Sequence, residues 1–181
     1  PEDTVPSSFI TDELSRQLVG RPPATGAWRD GDSVGDRQFA PLPTIELESG
    51  RELSGAKIAY ETWGDPANPA VLVFHALTGD SHAVGPASKA HPTEGWWSEI
   101  IGPGLSVDTD KFYVIAPNML GGCQGSTGPS SLDRSGREYG SKFPYLTIRD
   151  QVAAAKAFTE AIGISKFHAV IGGSMGGKSA G

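Results

Sequence analysis

The sequence predicts an α/β fold built on a mostly parallel sheet, and three observations predict it. Residues 70–74, 112–116 and 167–171 are continuous apolar runs of strand length, the pattern of strands buried on both faces. A helical pattern lies between the last two, which makes a strand–helix–strand unit. A glycine-rich turn at 172–177 follows the third run without a gap.

Taken in order, residues 1–42 read as an N-terminal extension. They are polar, punctuated by Pro and Gly and weakly patterned, with one short helix expected at 11–18, before Gly20, Pro22 and Pro23. From residue 43 the pattern sharpens, and 43–181 read as the first part of one α/β domain. Residues 44–48 alternate apolar and polar, as do 57–63, which ends at Gly64-Asp65-Pro66. These two are expected to pair as an antiparallel edge. The buried strand at 70–74 comes next, then the one at 112–116. Residues 117–146 form a long connection with little regular pattern, a length that usually carries function. Thr147 and Asp150 stand at capping-box spacing. Ile148, Val152, Ala155 and Ile162 repeat at helical intervals, and Gly163 is the expected stop.

Composition narrows the function. The 181 residues carry a formal net charge of −6 and 38 % apolar residues. An acidic chain without a Lys/Arg cluster is a poor partner for nucleic acid or anionic membranes. No apolar run is long enough to span a bilayer, and no signal peptide is visible. The single Cys123 forms no internal disulfide, compatible with a cytoplasmic location. No set of His, Cys, Asp or Glu has metal-ligand spacing, so no metal is expected.

Chemistry concentrates at Gly172-x-Ser174-x-Gly176. After a buried strand this is the spacing of a nucleophile elbow. A sharp turn lifts the serine hydroxyl off the sheet edge, and small neighbours let strand and helix backbones approach. The N–H of Met175 would then face a developing oxyanion. The same residues satisfy a P-loop expression, Gly172-x-x-x-x-Gly177-Lys178-Ser179, in which backbone N–H groups and Lys178 would hold phosphates. A plain glycine-rich turn is the third option.

Other segments extend the pattern. His75-Ala76-Leu77-Thr78-Gly79-Asp80-Ser81-His82 follows the 70–74 strand, and Gly95-Trp96-Trp97 comes soon after. Asn118-Met119-Leu120-Gly121-Gly122-Cys123-Gln124-Gly125-Ser126-Thr127-Gly128-Pro129 is glycine-rich. Thr147-Ile148-Arg149-Asp150-Gln151 and Gly172-Gly173-Ser174-Met175-Gly176-Gly177 complete the series. In this order the segments resemble the homoserine O-acetyltransferase family of the α/β-hydrolase fold, over about residues 43 to 177. The resemblance implies an α/β-hydrolase sheet, mostly parallel and truncated after the nucleophile elbow. It implies acetyl transfer from acetyl-CoA to the hydroxyl of L-homoserine, a step of methionine biosynthesis, through an acyl-Ser174 intermediate. Acetyl-CoA is then a co-substrate, with no bound cofactor, and the full-length protein is expected to be a homodimer. Leu77 and Met175 would supply the oxyanion-hole N–H groups.

The fold places its triad Asp and His after the serine, and neither follows Ser174 here. The fragment alone is therefore expected to be inactive. A P-loop module, or a serine acyltransferase or esterase of the same fold, stays open as an alternative. His75 and His82 are read as structural hydrogen-bonding residues, and His168 as a packed side chain in the strand below the elbow. Cys123 is read as a small buried thiol, Trp96 and Trp97 as helix-packing aromatics, and Asp80 as a turn residue.

Overall fold

The structure is a computed structural model, and it describes residues 26–180. The helix expected at 11–18 lies outside the described residues. Five strands form the main sheet in the order β1-β4-β8-β5-β9. They are β1 (Gln38–Pro41), β4 (Lys57–Trp63), β8 (Tyr113–Pro117), β5 (Ala70–Phe74) and β9 (Ala169–Gly172). β5 runs parallel to both β8 and β9, while β4 is antiparallel to β8 and to β1. The sheet is therefore mixed, with a parallel core.

Each of the three apolar runs becomes one of the parallel strands. β5 is buried at all five positions. Leu72 and Phe74 join one apolar cluster with Ile58, Ile115, Ala154 and Phe158. Val71 and Val73 join a second with Ala83, Ile101, Val107, Val114 and Ala116. Alternate side chains thus enter opposite layers, which is why the run has no polar member. β9 starts two residues later than the apolar run suggests. It is the outermost strand of the sheet among the described residues, and its residues are half-buried or exposed.

Helix α1 (Ile148–Ala161) covers the first cluster through Ala154 and Phe158. Its start follows the sequence reading. The Thr147 hydroxyl accepts from Asp150 N, and the Asp150 carboxylate accepts from Thr147 N, so both capping-box bonds are made. Asp150 also accepts from Glu48 N at 2.9 Å. Gly163, at φ +76, ends the helix. The crossover from β8 through α1 reaches β9 by passing over β5, so the two strands it joins are not neighbours.

The expected edge pairing is corrected. The 44–48 segment does not pair with β4. Its core, β2 (Ile45–Glu46), pairs with β3 (Glu52–Leu53) in a separate two-stranded ribbon. β4 is instead flanked by β1, which arises from residues read as weakly patterned. The reason is length and reach: the turn at Ser49-Gly50 closes a local hairpin first, with Gly50 N bonded to Leu47 O. The short parallel pair β6 (Ile101–Gly102) and β7 (Val107–Asp108) lies in the second layer. Trp96 and Trp97 also pack there, as a tilted pair with centroids 4.8 Å apart. They sit in turns, and their packing is within this apolar cluster rather than against a helix.

Candidate active site

The elbow is steric in origin. Ser174 lies at φ +55, the one non-glycine residue with positive φ among those described. Such a conformation costs on the order of 1–3 kcal/mol and persists where surroundings over-determine it. Two glycines provide that constraint. A Cβ on Gly172 would stand 2.4 Å from the carbonyl carbon of Gly176, and one on Gly176 would stand 2.5 Å from the Phe74 oxygen. β9, β5 and helix α2 (Met175–Ala180) therefore touch backbone to backbone. Ser174 is exposed, and its hydroxyl has no hydrogen-bond partner among the described residues.

The same geometry removes the P-loop. α2 begins at Met175, directly after the serine. Gly176 N bonds to Gly173 O at 2.9 Å, and Gly177 N to Ser174 O at 3.1 Å. A phosphate cradle needs such N–H groups pointing at the ligand, and here they close the first turn. Lys178 is exposed on the far part of this six-residue helix.

Beside the elbow lies a cavity of about 770 Å³, and both Leu77 and Met175 line it. Ser174 is not itself a lining residue. The walls come from the loop after β5, the glycine-rich loop and the segment around Phe143 and Leu146. Leu77 is 74 % exposed, a large apolar side chain at the mouth of this cavity.

The glycine-rich loop is sewn to the sheet by side chains. The Ser126 hydroxyl donates to Asn118 O at 2.5 Å and accepts from Ala59 N at 2.9 Å. Thr127 N donates to Lys57 O, and Lys57 N donates to the Thr127 hydroxyl. Gln151 Nε2 donates to Leu120 O at 2.6 Å, tying the loop to α1. Cys123 is exposed rather than buried, and it lines the cavity. Its carbonyl accepts from Trp28 N at 2.8 Å.

Two buried histidines hold the loop after β5. His75 Nδ1 lies 2.7 Å from Ala76 O, and its Nε2 accepts from Met119 N at 3.0 Å. Burial pushes the His75 imidazole below its ordinary range, against smaller opposing contributions from Ala76 O, Asp80 and Asn118. It is thus a neutral brace between two loops. His82 Nδ1 lies 2.9 Å from Glu61 Oε2. Asp80 is a turn residue as expected, accepting from His82 N at 2.8 Å. His168 departs from its reading. It precedes β9, is exposed, and lies tilted against Phe112 at 4.9 Å.

A cluster around Glu61, buried except for Asp36, has no signature in the sequence. Asp36, Glu61, His82 and His91 each offer one ligand-type atom, all within 4.8 Å of one another. No spacing signal links them, because they come from the segment before β1, from β4 and from the connection between β5 and β6. Burial lowers the His91 imidazole below its ordinary range, partly opposed by Glu61 and reinforced by Arg37 and His82.

A parallel-core sheet with a serine elbow at the end of one strand, beside a cavity, defines the α/β-hydrolase class. The profile of the alpha/beta hydrolase fold family matches residues 69–180. The chain belongs to the alpha/beta hydrolase fold family, and within that fold it is similar to homoserine O-acetyltransferases. It is 59 % identical to the homoserine O-acetyltransferase of Leifsonia xyli subsp. xyli, over 98 % of this chain and 45 % of that protein. The chain thus spans about half the length of the curated relatives it matches. Among solved structures, homoserine O-acetyltransferase from Bacillus anthracis superposes with a TM-score of 0.68 at 31 % identity, covering 78 % of this chain and 40 % of that one. Esterase E22 does so with the same TM-score at 38 % identity, covering 77 % and 41 %. No helix among the described residues is long and apolar enough to cross a membrane.

Proposed function

We propose that the full-length protein transfers an acetyl group from acetyl-CoA to the hydroxyl of L-homoserine, with Ser174 as nucleophile. The observation that carries this reading is the elbow: an exposed serine at φ +55, at the end of a parallel strand and beside a cavity, in a chain 59 % identical to a homoserine O-acetyltransferase. Ser174 Oγ would attack the thioester carbonyl and lose its proton to a base. The C–S bond then breaks, CoA leaves as the thiol, and acetyl-Ser174 remains. The homoserine hydroxyl attacks this ester, and Ser174 regains its proton. Met175 N–H and Leu77 N–H would stabilise both tetrahedral oxyanions, a contribution of several kcal/mol when two donors are preorganised.

In this reading the base comes from the part of the protein outside this chain. His75 and His82 have both ring nitrogens facing polar partners, and His91 Nε2 accepts from Asp36 N at 3.3 Å. Acetyl-CoA acts as co-substrate, and a homodimer is the proposed assembly. The test is single-turnover incubation of the full-length protein with acetyl-CoA, followed by mass analysis of the Ser174 peptide. An acetyl group on Ser174, absent in Ser174→Ala and discharged by L-homoserine, is expected. An acetyl group elsewhere, or none, overturns the reading.

The likeness to esterase E22 favours a second reading, hydrolysis of an ester by the same serine. The fate of acetyl-Ser174 separates the two. Discharge accelerated by millimolar homoserine marks a transferase, and discharge at the same rate in water alone marks an esterase.

A further inference from the structure

The loop that carries Leu77 is anchored at its far end by one carboxylate. Glu61 lies on β4 and is 1 % exposed. The Ser81 hydroxyl donates to its Oε1 at 2.9 Å, and His82 Nδ1 lies 2.9 Å from its Oε2. Ser81 and His82 are themselves buried. The His82 ring stacks on His91, with centroids 3.9 Å apart and planes 12° from parallel. The loop is drawn in further by Asp80, whose carbonyl accepts from Trp96 Nε1 at 3.0 Å. At its near end His75 is fixed by Ala76 and Met119. Leu77 therefore sits on a short arch between two buried anchors, both made by side chains.

Four features bear on what the Glu61 cluster is for. Asp36, Glu61, His82 and His91 have the donor types of a metal centre. The hydrogen bonds point elsewhere. His91 Nε2 accepts from Asp36 N, which leaves the proton of a neutral ring on Nδ1, 3.8 Å from Glu61 Oε1. Stacked, near-parallel rings do not converge their in-plane lone pairs on one ion. The guanidinium of Arg37 is buried nearby and interacts electrostatically with Glu61. It donates to Gln124 O and Oε1 on the opposite cavity wall, so the cluster also ties the two loops together.

We propose that Glu61 is a positioning residue for acyl transfer: by holding Ser81 and His82 it sets where the Leu77 N–H stands relative to Ser174. The proposal rests on the reading of Ser174 as nucleophile and Leu77 as oxyanion donor. A donor that is displaced stabilises the tetrahedral oxyanion less while leaving ground-state binding untouched.

The experiment uses the full-length protein and follows single-turnover acetylation of Ser174. Glu61→Gln is expected to slow acetylation at saturating acetyl-CoA by about 10- to 100-fold. The acetyl-CoA concentration giving half the maximal rate should stay within about twofold. A boronic acid that forms a tetrahedral adduct on Ser174 should lose affinity by the same factor as the rate. His82→Asn and His82→Leu form a second pair, usable whether or not Glu61→Gln folds. The Asn side chain keeps an N–H near the position of Nδ1, and this variant should acetylate at least about fivefold faster than His82→Leu. An unchanged rate in a folded Glu61→Gln, a loss confined to acetyl-CoA binding, or equal rates in the two His82 variants overturns the proposal. So does a wild-type rate that falls with EDTA and returns with Zn²⁺, which would assign the cluster to a metal. Failure of the wild type to acetylate Ser174 instead overturns the proposed function and is seen before any variant is made.

Discussion

The elbow at 172–177 and the loop at 75–82 face the same cavity, yet they are held by different physics. The elbow is fixed by exclusion. Its backbone runs so close to Phe74, His75 and its own helix that only hydrogen fits at Gly172 and Gly176. The loop is fixed by attraction, through the Glu61 side chain on β4, the Trp96 indole N–H, and the Met119 N–H of the glycine-rich loop, which donates to the loop's own His75. A sterically built turn carries its instructions within a few residues of sequence. A loop built on buried hydrogen bonds takes them from residues far away in the chain.

That contrast yields expectations that can be checked on the full-length protein by thermal or urea unfolding. The largest effect belongs to the elbow. Gly176→Ala puts a methyl group into two backbone carbonyls that cannot swing away. It should cost about 3 kcal/mol or more, or abolish soluble protein. Gly173→Ala is its control, since a Cβ there meets nothing within 4 Å. If the two variants unfold alike, the elbow is not held by exclusion.

The loop should be softer. Ser81→Ala removes a hydroxyl that is fully buried and leaves Glu61 Oε1 without that donor. A cost of about 1–3 kcal/mol is expected. Hydrogen exchange should rise within 75–82 while the exchange of β9 amides stays as in the wild type. Uniformly raised exchange would erase the distinction between the two regions.

Asp150 offers a smaller and pH-dependent case, a helix start held by attraction partly from its own turn and partly from Glu48, far away in the chain. Burial alone would raise its carboxyl, yet hydrogen bonds from Thr147 N, Glu48 N and the Thr147 side chain hold it below the ordinary aspartate range. A folded-state value below the unfolded one stabilises the fold above the unfolded value, and the contribution is lost as pH falls through the folded value. Asp150→Asn should cost about 1 kcal/mol near neutrality. Its stability curve should flatten relative to wild type below about pH 4. An equal difference at every pH would mean that the ionised carboxylate is not what caps α1.

The smallest effect is expected at Lys178. It is exposed on a short helix in which the Gly176 and Gly177 N–H groups are already bonded to Gly173 O and Ser174 O. Lys178→Ala should change stability by less than about 0.5 kcal/mol, and ATP with Mg²⁺ should not shift the melting temperature of either form. A nucleotide-dependent shift lost in the variant would restore the phosphate-binding reading.

The parallel strands, the capped helix and the elbow were legible in the residues themselves. Continuous apolar runs, a Thr147/Asp150 pair and two glycines around a serine are short-range signals, because burial on both faces, helix capping and close backbone approach each act on neighbouring positions. The resemblance to homoserine O-acetyltransferases was legible for the same reason, being carried by compact segments. Strand pairing at the sheet edge was not. Residues 44–48 alternate as an edge strand should, but alternation states which face is apolar and not which strand lies alongside. The hairpin with β3 and the arrival of β1 beside β4 depend on which partner lies within reach. Cys123 and His168 were misread because exposure at a loop or strand end is set by what packs over it. Glu61 was invisible as a site residue. A glutamate in an alternating strand reads as solvent-facing, and only the folded chain brings Ser81, His82, His91 and Arg37 around it. The sequence determined the parallel strands, the capped helix and the sharp turn at 172–177, since these follow from backbone sterics and local periodicity. The tertiary structure decided the neighbours of each strand and the anchoring of the loop opposite the elbow, since buried hydrogen bonds form between residues that the chain itself keeps far apart.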